Sequence, residues 1–178
     1  MSRFDQLCKA YSKARKNYFD YREDCTAFTA WLMSGLLTYL DCPADQLRYF
    51  PLKGELRPGH TYTLMGAMDL EEDTYWHFGV GLTLYEKKDK TPQETVVFEF
   101  MIKRNEKSYT VKMDTGGHEY HIGNEDMSAA HKLYEAIFDE IRDSYTAGLQ
   151  HFLEQDETAR KIGFCQDEKK PKIKPDVK

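Results

Sequence analysis

The chain has 178 residues, of which 40% are hydrophobic, 13% aromatic and 31% charged; that is enough apolar material for one packed core and too much for global disorder. Its formal charge of -5 and pI near 5.7 argue against a general nucleic-acid binder, because neutralising phosphates takes a basic surface. The opening residues Met1 to Asp5 lack a basic-then-apolar leader, and the longest uncharged stretch, Cys25 to Leu40, falls short of the roughly 20 residues a membrane helix needs, so a cytoplasmic protein without a membrane segment is expected.

From Phe4 onward apolar residues recur at Phe4, Leu7, Tyr11, Ala14, Tyr18, Tyr21, Cys25, Phe28, Leu32, Gly35 and Tyr39. These alternating steps of three and four mark one helix face. Ser2 with Asp5 resembles a capping arrangement, and Pro43 forbids continuation at the far end. A helix from Arg3 to Leu40 would be about 57 Å long, whereas a compact chain of this size is about 40 Å across. The helix therefore either breaks near Asp24, Cys25 and Thr26 or projects from the body of the protein.

Between Leu47 and Ile122 the pattern changes to alternation, predicting strands over Thr61–Asp69, Tyr75–Tyr85, Thr95–Lys103, Ser108–Asp114 and His118–Ile122, joined by short turns into an antiparallel meander. Tyr49–Leu56 suggests an irregular edge strand, since Pro51 and Pro58 interrupt it. One face of this sheet is apolar, with Trp76, Phe78, Val80, Val96, Phe98, Phe100 and Val111 among its residues. It must be covered by helices. A second helix begins near Asn124, Glu125 and Asp126 and carries a broad apolar stripe from Met127 to Phe152. The expected architecture is thus α+β: helix 3–41, an antiparallel meander of four to five strands over 47–122, and helix 125–160. Together they make one domain over residues 1–164, followed by a flexible charged tail over 165–178.

Chemistry is weakly signalled. Cys8, Cys25, Cys42 and Cys165 show no C-x-x-C spacing, so neither a zinc site nor a disulfide framework is supported. His118 and His121 are three apart on a strand and face opposite ways, which argues against a shared metal. No catalytic constellation stands out, and no metal or cofactor is expected. The loop Lys53–His60 has the composition of an anion cradle without the order of residues or the following helix that a phosphate loop needs.

Two surfaces remain. Gly79 and Gly81 remove side chains from one sheet face, leaving a trough that either receives packing from elsewhere or forms a small-ligand site with His77, Glu99 and Lys103. The first helix interleaves Tyr11, Tyr18 and Tyr21 with basic residues including Arg15 and Arg22, residue types favoured in interface cores. The reading preferred from sequence is a non-catalytic interaction or assembly module, a homodimer or a subunit of a complex, whose partner is a protein or a second copy. A ligand-binding domain at His77, Gly79, Gly81, Glu99 and Lys103, or a hydrolase there, is the alternative.

Overall fold

A computed structural model describes residues 2–54, 60–87, 93–113, 117–146 and 164–165. Helix α1 spans Arg3–Tyr39, 37 residues without interruption. Its first turn is held by a reciprocal capping box. Ser2 Oγ accepts from the Asp5 amide at 3.0 Å, and the Ser2 amide donates to the Asp5 carboxylate at 2.8 Å, satisfying donors the helix cannot pair internally. The last turn closes with the Asp41 amide donating to Thr38 O (3.2 Å) and the Cys42 amide to Leu37 O (3.0 Å). Asp41 takes the left-handed conformation this closure requires, with φ of 49°, and Pro43 follows.

Of the two outcomes left open at Asp24, the helix projects. Asp24 does not cap a second segment; its carboxylate pairs with Arg104. Within the uncharged stretch Thr26, Thr29 and Thr38 each donate their hydroxyl to the carbonyl four residues earlier, at 2.7–3.0 Å, so these polar groups are satisfied without interrupting the helix.

A single 3-10 turn (Ala44–Gln46) leads into β1 (Leu47–Phe50). The strand expected over Thr61–Asp69 is not formed. Tyr62 makes only an isolated bridge to Tyr49, and the one-turn helix α2 (Leu64–Ala67) follows, its first turn capped by Thr63 Oγ1 accepting from the Gly66 amide at 3.1 Å. Two residues of β2 (Asp69–Leu70) remain extended. A threonine that caps locally, followed by glycine, a poor strand former, outweighs the alternation.

The long strands are β3 (Trp76–Tyr85), β4 (Gln93–Arg104), β5 (Ser108–Met113) and β6 (Glu119–Gly123). They form the antiparallel meander, in spatial order β1-β3-β4-β5-β6. The edge strand suggested near Tyr49 is β1, ending before Pro51. It pairs Leu47 to Phe50 with Leu82 to Gly79, while β2 takes the other end of the same β3 edge at Trp76 and His77. Because β4 has twelve residues and β5 six, the start of β4 extends beyond β5, and there β7 (Phe164–Cys165) pairs with Val96 and Thr95.

Helix α3 (Met127–Thr146) is capped by Asp126, the last of the three residues near which its start is expected: Asp126 Oδ1 accepts from the Ala129 amide at 3.1 Å. The continuation expected to residue 160, the tail beyond 165, the Thr115–Gly116 turn and Pro58 lie outside the described residues.

Both long helices cover the apolar side of the sheet. Cys25, Phe28, Leu32, Met33 and Leu36 of α1, with Leu133, Tyr134 and Ile137 of α3, bury against Trp76, Phe78, Val80, Phe100, Ile102, Val111 and Ile122. The Phe28 ring stacks on Tyr109 at 3.8 Å, tying α1 to β5. Where the helices meet, the buried Tyr134 hydroxyl donates to Leu32 O at 2.9 Å, and burial pushes its pKa up to about 12. Gly35 provides the room this requires: a Cβ there would lie 2.3 Å from the Tyr134 hydroxyl oxygen.

Candidate functional site

Packing divides α1 in two. Residues 2–20 are all exposed, and burial begins only at Tyr21. At 1.5 Å per residue the uncovered part is an arm of about 28 Å. Along the single apolar stripe, Phe4 is 72%, Leu7 68% and Tyr11 70% exposed, whereas Cys25 and Leu32 on the same stripe are fully buried. The steps of three and four continue across the division, so the arm offers the seam geometry that the rest of the helix uses internally.

The arm is also basic. Arg3, Lys9, Lys13, Arg15 and Lys16 face only Asp5 and Asp20, a net of +3 against -5 for the whole chain, which leaves -8 for the remainder. Arg15 lies 5.4 Å over the Phe19 ring, holding a cation against an exposed aromatic face.

The five interface residues expected from sequence fall into two groups. Tyr11 and Arg15 stand on the open arm, and Tyr18, 42% exposed, begins the junction with the body, its ring 5.8 Å from Trp76. Tyr21 and Arg22 are drawn into that junction. Tyr21 lies 6.1 Å from Trp76 and accepts from the Arg104 amide at 3.4 Å. Arg22 sits 5.9 Å over Trp76 and donates to Met65 O at 2.7 Å. Arg22 Nε and Trp76 Nε1 are buried without an acceptor, so Arg22 is held through its guanidinium Nη2 and by its place over the ring. Phe4, Leu7 and Phe19 belong to the exposed set as well. The stripe in the sequence contains the first two, but Phe19 lies off it and left no periodic signal.

The glycine trough is filled from within. β1 runs beside β3 with Phe50 opposite Gly79, and its ring lies over both glycines; a Cβ at Gly79 would lie 2.1 Å from Phe50 Cε2, and one at Gly81 3.2 Å from Cε1. Phe50 provides the packing, with the Thr95 methyl also 3.0 Å from where a Gly81 Cβ would lie. An aromatic across from a strand glycine restores the contacts the glycine lacks. Lys103 turns to the Tyr75 ring at 5.5 Å.

His77 and Glu99 do meet. The His77 ring is bracketed by Glu99 Oε1 (3.1 Å, at Nδ1) and Asp73 Oδ2 (2.9 Å, at Nε2). Asp73 is positioned by a tight turn in which Thr74 has φ of 71° and Asp73 Oδ1 accepts from the Tyr75 amide at 3.0 Å. Burial pulls the His77 pKa down, but hydrogen bonds to the two carboxylates outweigh it and leave it above its ordinary 6.5. For Asp73, burial is outweighed by the hydrogen bonds from Tyr75 and His77, and its pKa falls below 3.8. A raised histidine stabilises the fold fully below its unfolded pKa and loses that contribution as pH rises through the folded one; a depressed carboxylate contributes above its unfolded pKa. The cluster therefore stabilises most between roughly pH 4 and 6.5. Urea unfolding should show a lower midpoint at pH 8.5 than at pH 6, and His77→Gln should reduce the difference.

Lys53 pairs with Glu71 at 2.9 Å, and residues 55–59 of its loop lie outside the described residues. His121 Nδ1 lies 3.1 Å from the Thr110 hydroxyl on the outer sheet face. Among the described residues, no group of three His, Cys, Asp or Glu side chains is placed to hold a metal ion, and no helix is long and apolar enough to cross a membrane. Compared with known proteins, the chain matches no family model, no curated protein and no solved structure.

Proposed function

We propose that this chain is a non-catalytic interaction or assembly module, a subunit of a homodimer or larger complex, which presents residues 2–20 as its docking surface. One observation supports this above others: an unbroken helix keeps a regular apolar stripe after leaving the body, with Phe4, Leu7 and Tyr11 each about 70% exposed. A helix with nothing to cover needs no apolar stripe for its own fold. Contiguous apolar rows rimmed by charge mark contact surfaces, and Tyr, Phe and Arg supply contact area that desolvates well. The setting is a reducing, cytoplasmic one, a reading supported by Cys8, Cys25 and Cys42 all being free thiols.

Removing residues 2–20 tests the reading. Compared at a concentration low enough to keep both chains unassociated, the truncated chain is expected to unfold close to the full chain's urea midpoint, because no residue before Tyr21 is buried and the body loses only the partly exposed Tyr18–Trp76 contact. It should also lack the concentration-dependent mass and the partners from native extract that the full chain is expected to show in light scattering and pull-down. Association and recovery unaffected by the truncation would exclude the arm as the docking surface.

A further inference from the structure

The charge distribution narrows the choice of partner. Two arms laid together would combine their net positive charges, and like charges at close range oppose pairing. The body of the protein carries the opposite sign, and one of its helices repeats the arm's spacing of exposed aromatics.

At the rim of α3, beside its buried face, Phe138 is 41% and Tyr145 42% exposed, the Tyr145 hydroxyl being hydrogen-bonded to Glu94 of β4. They are seven residues apart, as are Phe4 and Tyr11, so in both helices two exposed aromatics stand about 10 Å apart on one face. The flanks are complementary. Over its twenty residues α3 carries Glu135, Asp139, Glu140 and Asp143 against Lys132 and Arg142, a net of -2. Arg142 lies 5.5 Å over Phe138 and is shared between Asp139 (3.0 Å) and Asp143 (2.9 Å), so two carboxylates divide one cation.

We infer that the arm of one copy docks on the α3 face of a second copy, and that the second arm returns the contact to the first. This rests on the arm being a docking surface and adds its occupant. Reciprocal exchange gives a closed two-fold dimer with two identical arm-to-α3 contacts. Phe4, Leu7 and Tyr11 lie against Phe138 and Tyr145, and Arg15, beside the stripe on the same side of the arm, approaches Glu135 and Asp139.

The test uses two surface substitutions in the full chain, Leu7→Asp on the arm and Phe138→Asp on α3, with far-UV circular dichroism checking that each remains folded and Asp139→Lys as a second α3 variant. Light scattering coupled to size exclusion should give a dimer for the unaltered chain and a monomer for Leu7→Asp and for Phe138→Asp; Asp139→Lys should weaken the dimer at least tenfold. Mixing the Leu7→Asp and Phe138→Asp chains should restore dimers, since one arm-to-α3 contact in the mixed pair is intact. If Leu7→Asp dissociates the dimer while the α3 variants leave it whole, the arms pair with each other or elsewhere; this inference then fails and the arm remains a docking surface. An unaltered chain that stays monomeric at every concentration also overturns it, and recovery of partners with and without residues 2–20 then decides the arm's role separately. A mixture that stays monomeric overturns the reciprocal arrangement.

Discussion

Phe28→Ala is expected to lower the unfolding free energy by about 3–5 kcal/mol, the usual cost of emptying a buried aromatic site, whereas Tyr11→Ala on the same stripe should change it by less than about 0.5 kcal/mol. Phe28 is 5% exposed and stacked on Tyr109; its loss opens a cavity between α1 and β5 and forfeits an aromatic pair. Tyr11 is 70% exposed, and alanine is the better helix former. Urea titrations followed by circular dichroism compare the two directly. A Tyr11→Ala chain as unstable as Phe28→Ala would mean that the arm is covered by its own chain.

Gly35→Ala should destabilise by about 3 kcal/mol, against the ordinary expectation that glycine to alanine inside a helix gains up to about 1 kcal/mol. The new Cβ would fall 2.3 Å from the Tyr134 hydroxyl oxygen and 3.0 Å from Cζ. Tyr134 is fully buried and cannot swing into solvent. Either the helices separate, at about 1–3 kcal/mol for overpacking, or the hydroxyl leaves Leu32 O and is buried unpaired, at a similar cost. Tyr134→Phe removes the clashing oxygen and should itself cost about 1 kcal/mol. Combining the two should therefore cost at least about 1 kcal/mol less than their sum. Additive effects in that double-mutant cycle would show that the close approach of α1 and α3 is not set by this pair.

The helix stripe, the four-strand meander and the faces of the sheet were legible because each depends on periodicity, and period 3.6 or 2 survives in one sequence. The Thr61–Asp69 segment was misread for a local reason: Thr63 caps the α2 turn, a hydrogen bond that alternation does not encode. The glycine gap at Gly79 and Gly81 was visible, but its occupant depended on the register of β1, which places Phe50 opposite Gly79 through pairing that is distant in sequence. Tyr21 and Arg22 were grouped with the arm because a stripe shows which residues share a face and not what covers it. Trp76, far along the chain, takes both of them. The helix length compared with the size of the body left a break or a projection, and only tertiary packing after Tyr21 decides between them.

Because one continuous helix carries both the open stripe and the buried one, α1 has the geometry of a lever. Its fulcrum is the Trp76 contact with Tyr18, Tyr21 and Arg22. A pull at Phe4 would therefore reach the Phe28–Tyr109 stack as torque with a mechanical advantage greater than one, since the outer limb is longer than the distance from fulcrum to stack. Whatever grips the tip can thereby strain the seat of the helix on the sheet without touching it.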